Sequence, residues 1–213
     1  MAMKPLAAIT LTFLLSGSAC SQTPQRGVGD PARPASRSDL YQCEGCEATT
    51  ERSADGLGWR AALAPDGEPG ERLVLSGRVL LPGGEAPASG VVLYFHQTNA
   101  RGFYPAPAGA TGWARRHGDL RGWLVTDAAG RYEIDTVRPA PYPGLDTPAH
   151  IHVFVKEPGR RPYYIDDVTF EGDPFLTSAY RQREEGRGGS GIVQLTRGSD
   201  GAWRGRRDVT LEW

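Results

Sequence analysis

Two histidines stand one residue apart in Pro148-Ala149-His150-Ile151-His152. In an extended strand alternate side chains share a face, so His150 and His152 point the same way with backbones about 6.6 Å apart. Two imidazoles at that spacing can close onto one ion, while Ile151, Val153 and Val155 fill the opposite face. Such a pair serves zinc, copper, iron or manganese, and the remaining ligands must decide. A carboxylate is one candidate, with Asp146 near in sequence. Tyrosine is another: Tyr142 stands between Pro141 and Pro143, in a backbone that the two prolines stiffen. A phenol loses its proton only near about pH 10, so a hard, highly charged ion is needed to keep it as phenolate. Two phenolates with two imidazoles suit Fe(III) by charge and donor type. A tyrosine between prolines is also an ordinary packing anchor, and a His pair an ordinary core or surface pair; the residues alone leave both readings open.

Short strands are the elements available to position these groups. Leu73 to Leu81 is apolar around Gly77 and ends at Pro82-Gly83-Gly84. Val91–Gln97 is dense in β-branched and aromatic residues, Trp123–Thr126 is a third strand, and Asp127-Ala128-Ala129-Gly130 a turn before Arg131–Val137. His150–Lys156 is a fifth, and Thr210–Trp213 a closing strand. With 28 Gly, 17 Pro and no long helical pattern, the expected fold is all-β, an antiparallel β-sandwich with an irregular N-terminal segment.

The expected organisation is a signal peptide at 1–19, a flexible tether at 20–40 rich in Ser, Pro, Gly, Arg and Gln, and one domain at 41–213 with its core at about 70–176. Lys4, the apolar run Leu6 to Leu15 and the small residues before Cys20 resemble a bacterial lipoprotein signal, with Cys20 lipidated; an ordinary secretory signal is the alternative, and both export the chain. Gly17 stands where such signals usually carry Leu. The only expected membrane contact is that N-terminal anchor. In an oxidising compartment Cys43 and Cys46 read as a short-loop disulfide. The net charge of −1 gives no electrostatic argument for nucleic acid. The arginines scattered from Ala179 to Arg207 are interrupted by acidic residues and read as a solvated surface. Oligomeric state is not legible.

Beyond these local signals, Pro141-Tyr142-Pro143 followed by Pro148-Ala149-His150-Ile151-His152 resembles the intradiol ring-cleavage dioxygenases, among them catechol and protocatechuate 3,4-dioxygenases. Thr126-Asp127-Ala128-Ala129-Gly130-Arg131-Tyr132, His96 to Tyr104, and Phe170-Glu171-Gly172-Asp173-Pro174 continue the resemblance, which covers about 70–176. It implies a non-haem ferric ion held by Tyr104 and His150 in the equatorial plane and by Tyr142 and His152 as the axial pair. It further implies that Tyr142 acts as a base toward a small aromatic diol. The diol's ring then opens between its two oxygens with O2, giving a muconate-type diacid.

Two positions depart from the family pattern. Thr147 stands where an Arg is common, and Asp167 where a Gln is common, exchanging a fixed cation for an anion. Arg121 and His117, between Tyr104 and Trp123, are candidates to compensate; each reads first as surface loop. Two other classes compete. One is a non-catalytic transthyretin-like or carboxypeptidase-regulatory-like sandwich, or a ferric-binding protein without ring cleavage. The other is a zinc or copper hydrolase on His150, His152 and Asp146, which leaves Tyr104 and Tyr142 without a role.

Overall fold

A computed structural model describes residue 1 and residues 40–212. The chain divides into units 1–33 and 34–213. The signal sequence beyond Met1, Cys20 and nearly all of the tether lie outside the described residues.

Eleven strands are described: β1 (Arg60–Ala62), β2 (Arg72–Leu80), β3 (Val92–Gln97), β4 (Arg121–Val125), β5 (Arg131–Val137), β6 (His150–Lys156), β7 (Tyr163–Phe170), β8 (Ile192–Val193), β9 (Thr196–Arg197), β10 (Trp203–Arg206) and β11 (Val209–Thr210). They form two sheets, one ordered β1-β5-β2-β10-β9 with β11 also pairing β2, the other β4-β3-β6-β7-β8. The all-β sandwich expected from the turn-rich sequence is the fold. Its central pairs, β2 with β5 and β3 with β4 and β6, are antiparallel, as is β6 with β7. Parallel pairs join at the margins: β1 on β5, β10 and β11 on β2, β8 on β7. These strands arrive through long connections, the condition a parallel neighbour requires.

The core between the sheets follows from strict alternation. Leu73 and Leu75 from β2, Leu93 and Phe95 from β3, Ile151, Val153 and Val155 from β6, and Ile134 from β5 all bury inward. The core is wider than the expected 70–176. Leu40, assigned to the tether, is fully buried, as is Ala48; Leu63, Val193, Val209 and Leu211 also belong inside. Leu40, Ala48, Leu63 and Val193 come from segments too short to show a period, whereas Leu211 falls in the stretch expected to close the fold. The closing strand is shorter than expected, Val209–Thr210.

Segment 41–70 is not featureless. Cys43 and Cys46 form a disulfide with Cα atoms 5.8 Å apart, leading into a 3-10 helix, Cys46–Thr50. This helix packs on β3 and β6, and Ala48 O accepts a hydrogen bond from Trp123 Nε1 at 2.8 Å. Two short helices, α1 (Gly112–His117) and α2 (Ser178–Arg181), complete the described chain. The arginine-rich stretch is not uniformly solvated: Arg187 and Arg207 are buried, and Arg207 Nη1 donates to Asp166 O at 2.6 Å.

Candidate metal centre

The site lies on the face of the β4-β3-β6-β7-β8 sheet that looks away from the sandwich core. His150 and His152 emerge from β6 on the same side, as the alternation requires, and their Nε2 atoms stand 3.2 Å apart. The two tyrosines arrive on loops. Tyr104 lies in the loop between β3 and α1, and Tyr142 follows β5. These loops are tied together: Thr98 Oγ1 donates to Ala140 O at 2.8 Å, and Ala140 N donates to Asn99 O at 3.1 Å. Asn99 Oδ1 also accepts from the N–H groups of Arg101 and Phe103. At Gly102, with φ of 82°, a Cβ would sit 2.1 Å from Pro141 O. Only glycine permits that approach, and it is what brings Tyr104 beside Tyr142.

The four donor atoms converge. Tyr142 Oη lies 2.8 Å from Tyr104 Oη, 3.0 Å from His150 Nε2 and 3.2 Å from His152 Nε2. Tyr104 Oη is 3.1 Å from His152 Nε2. Ligand atoms about 2 Å from one first-row ion lie about 3 Å from each other, so the spacing fits a single ion. The protons fit as well. His150 Nδ1 is 2.7 Å from Pro148 O; a carbonyl only accepts, so Nδ1 carries the hydrogen and Nε2 presents a bare lone pair. His152 Nδ1 faces the Asp167 carboxylate at 2.9 Å, which assigns the same tautomer. Two bare imidazole nitrogens and two phenol oxygens at this spacing form a donor set that can take a cation between them. Burial pushes both tyrosines above the ordinary phenol value and His150 below the ordinary imidazole value. The phenolate form therefore also depends on positive charge at the centre.

Tyr104, Tyr142 and His152 border a cleft of about 470 Å³, walled by Gln42, Cys43 and Glu44 on one side and by His96, Trp113, His117, Phe154 and Tyr164 on others. A flat aromatic ring fits such walls in size and chemistry. His96 and Phe154 were not singled out as site residues from sequence. His96 pairs in register with His152 across β3 and β6. Its ring lies 3.8 Å from that of His117, nearly parallel, and 4.3 Å from that of His152. Burial drives His96 well below, and His117 to about 4 from, the ordinary value of 6.5, so both are neutral rings at pH 7. Only the cross-strand register reveals His96.

The remaining candidates fall out differently. Asp146 is exposed and takes no part; the carboxylate that joins His150 and His152 as a potential metal group is Asp167. The hydrolase reading on Asp146 therefore loses its carboxylate. Thr147 is half-buried before β6 and does not line the cleft. His117 is not surface loop: it closes α1, is buried, and its Nδ1 is 2.8 Å from Tyr94 Oη. Arg121 opens β4, ion-paired to Glu51 at 2.7 Å with its side chain 16% exposed. It holds the 3-10 helix segment to the sheet.

Comparison with known proteins bears directly on this arrangement. The family model described as Dioxygenase matches residues 55–185, more than half of the chain. The chain belongs to the intradiol dioxygenase family. Among relatives, catechol 1,2-dioxygenase 1 of Acinetobacter lwoffii is 32% identical over 175 residues, covering 68% of this chain and 54% of that protein. The protocatechuate 3,4-dioxygenase beta chain of Burkholderia cepacia is 36% identical over 128 residues, covering 52% and 50%. Among solved structures, the dioxygenase domain of a dioxygenase–carbohydrate-binding fusion from Streptomyces sp. SirexAA-E is 27% identical with a TM-score of 0.55, covering 70% of this chain and 85% of that domain. The chain spans about half the length of the curated relatives it matches. Membership excludes the transthyretin-like and carboxypeptidase-regulatory-like alternatives as the chain's family.

Proposed function

We propose that this chain is a non-haem ferric dioxygenase that opens a catechol-type ring between its two adjacent oxygens. The observation that carries the reading is the convergence of Tyr104 Oη, Tyr142 Oη, His150 Nε2 and His152 Nε2, five of whose six pairs stand 2.8–3.2 Å apart. These four side chains would hold the ion. A ferric ion held there would supply Lewis acidity for the reaction of a catechol-type ring with O2, whose product would be a muconate-type diacid.

The chain's own groups have defined tasks. Tyr142 Oη, in contact with the other three donors, is the atom placed to take a proton from an entering diol. Pro141 and Pro143 limit the backbone motion of its loop, so the phenol moves by side-chain rotation. Trp113, Phe154 and the neutral rings of His96 and His117 exclude water and offer flat surfaces to the ring. Arg116 is ion-paired with Glu44, which leaves the cleft without an unpaired lining arginine among the described residues.

Purified iron-loaded protein is expected to show a visible phenolate-to-iron charge-transfer band and to consume O2 with at least one member of a catechol and hydroxyquinol panel. Colourless protein that takes up stoichiometric zinc in preference to iron overturns the metal assignment. A coloured protein with no O2 uptake across the panel overturns the catalytic one and leaves a ferric-binding protein.

Export belongs to the same proposal. Lys4, the apolar run Leu6 to Leu15 and the Ala19-Cys20 junction support a lipid anchor at Cys20. Metabolic labelling with a fatty acid should mark the full chain and not Cys20→Ser; equal labelling of both, or none, removes the anchor.

A further inference from the structure

Strand β7 does not run evenly beside β6. Ile151 pairs with Val168, yet Val153 pairs with Ile165. His152 alone therefore faces two residues, Asp166 and Asp167: a β-bulge, the device that re-aims a side chain at the edge of a site. The core records the slip. Tyr163 and Ile165 point into it before the bulge, Val168 and Phe170 after it. Without the extra residue, the site face after Tyr164 would have passed to Asp166. The bulge gives it to Asp167 and returns Val168 to the core. Asp166 is engaged elsewhere, its Oδ2 accepting from Gly186 N at 2.7 Å.

Asp167 Oδ1 comes to rest 2.9 Å from His152 Nδ1. The contact is an ion-pair approach, and this oxygen is buried with no further partner among the described residues. A buried carboxylate oxygen in that condition is costly unless positive charge stands near it. Arg207, the nearby cation, spends Nη1 on Asp166 O at 2.6 Å.

We propose that Asp167 is a positioning residue: a third negative charge that stands behind His152, keeps Nε2 turned to the donor cluster, and tunes the ion held there. This rests on the ferric reading above. A carboxylate behind a ligating imidazole raises the donor strength of that imidazole. A stronger donor and a nearby anion favour ferric over ferrous ion. They also raise the energy needed to move an electron from phenolate to iron.

Charge and orientation separate experimentally. Asp167→Asn keeps an oxygen beside Nδ1 and removes the charge, whereas Asp167→Ala removes both. Iron-loaded Asp167→Asn is expected to keep its metal while its charge-transfer band moves to longer wavelength. Its preference for ferric over ferrous ion should fall about tenfold, which is about 59 mV for a one-electron couple. Asp167→Ala should lose about 10–100-fold in iron affinity. A fully loaded Asp167→Asn with the parent band and parent potential overturns the inference, because a purely structural carboxylate would move neither. If the parent protein binds iron without any phenolate band, the ferric reading itself fails and takes this inference with it. The colour of the parent protein tells the two failures apart.

Discussion

The two sheets handle their outer faces in opposite ways. β2 reads exposed or half-buried at alternate positions, whereas β3 is buried along its whole length. The outer side of the β1-β5-β2-β10-β9 sheet carries exposed ion pairs, such as Arg60 with Glu133 and Arg204 with Asp200. The other sheet is covered a second time. Cys46, Ala48, Tyr94 and Phe154 form a small core on its outer face, with Cys43, Trp113, Trp123 and Tyr164 against it. The donor cluster lies beside that second core. The difference teaches why the site is where it is. Phenol and imidazole donors can discriminate for a highly charged ion only where water competes poorly, and a sheet face open to solvent cannot provide that.

The comparison breaks most sharply at the ligands. Removing one donor, as in His152→Ala, should weaken iron binding, change the charge-transfer band and lower turnover by about 100-fold. The urea midpoint of metal-free protein should move little. Tyr142→Phe should shift the band and slow turnover. Retention of the parent spectrum in both variants would sink the proposed centre.

The solvated sheet should give the reverse pattern. Leu75 is fully buried on β2, and Leu75→Ala should cost about 2–5 kcal/mol of stability with the iron spectrum unchanged. A spectral change at that distance would show that the two sheets are not independent.

Acid tests the second core. His117 sits at about 4 in the fold against 6.5 in the unfolded chain, chiefly through burial. The unfolded state thus binds more protons between those values. The stabilisation is present above pH 6.5 and is lost as pH falls toward 4, on the order of 2–3 kcal/mol. His96 is depressed for the same reason and adds in the same direction. Urea midpoints at pH 7 and pH 4.5 measure the slope, and His117→Phe should flatten it.

A smaller effect is expected from the disulfide. Cys43 lines the cleft and is bridged to Cys46, whose helix packs on the donor-bearing sheet. Reduction, or Cys43→Ser with Cys46→Ser, should cost about 2 kcal/mol at most for so short a loop, and should raise KM more than it lowers kcat. An unchanged KM would show that segment 42–46 does not shape the cleft. Smallest of all is Arg72→Ala. Its pairs with Asp135 and Asp200 are exposed, and such pairs contribute little in water. The urea midpoint should not move measurably.

The strands and the His pair were legible because they rest on local periods. Alternating Leu, Val and Ile in β2, β3, β5 and β6 bury one face whatever else the chain does. Strand β8 was not legible, since it holds two residues and shows no period; the closing strand, expected at Thr210–Trp213, begins one residue earlier, at Val209–Thr210. Arg187 and Arg207 looked like surface because composition cannot say which cation a fold will enclose. The site divides along the same line. His150 and His152 share a face by the geometry of one strand, and Tyr142 is marked by its prolines. Tyr104 came only through resemblance, and its approach depends on Gly102 passing Pro141.

The sequence by itself determined that two imidazoles face one way on a buried strand beside a constrained tyrosine, since side-chain alternation is a property of the strand alone. Tertiary structure decided which carboxylate stands behind His152. Asp146 is nearer in the chain and stays in solvent; Asp167 arrives from the neighbouring strand. Regular alternation would have turned Asp167 inward, and a single extra residue against His152 reverses that. A bulge exists only between two paired strands, so no reading of β6 or β7 alone contains it.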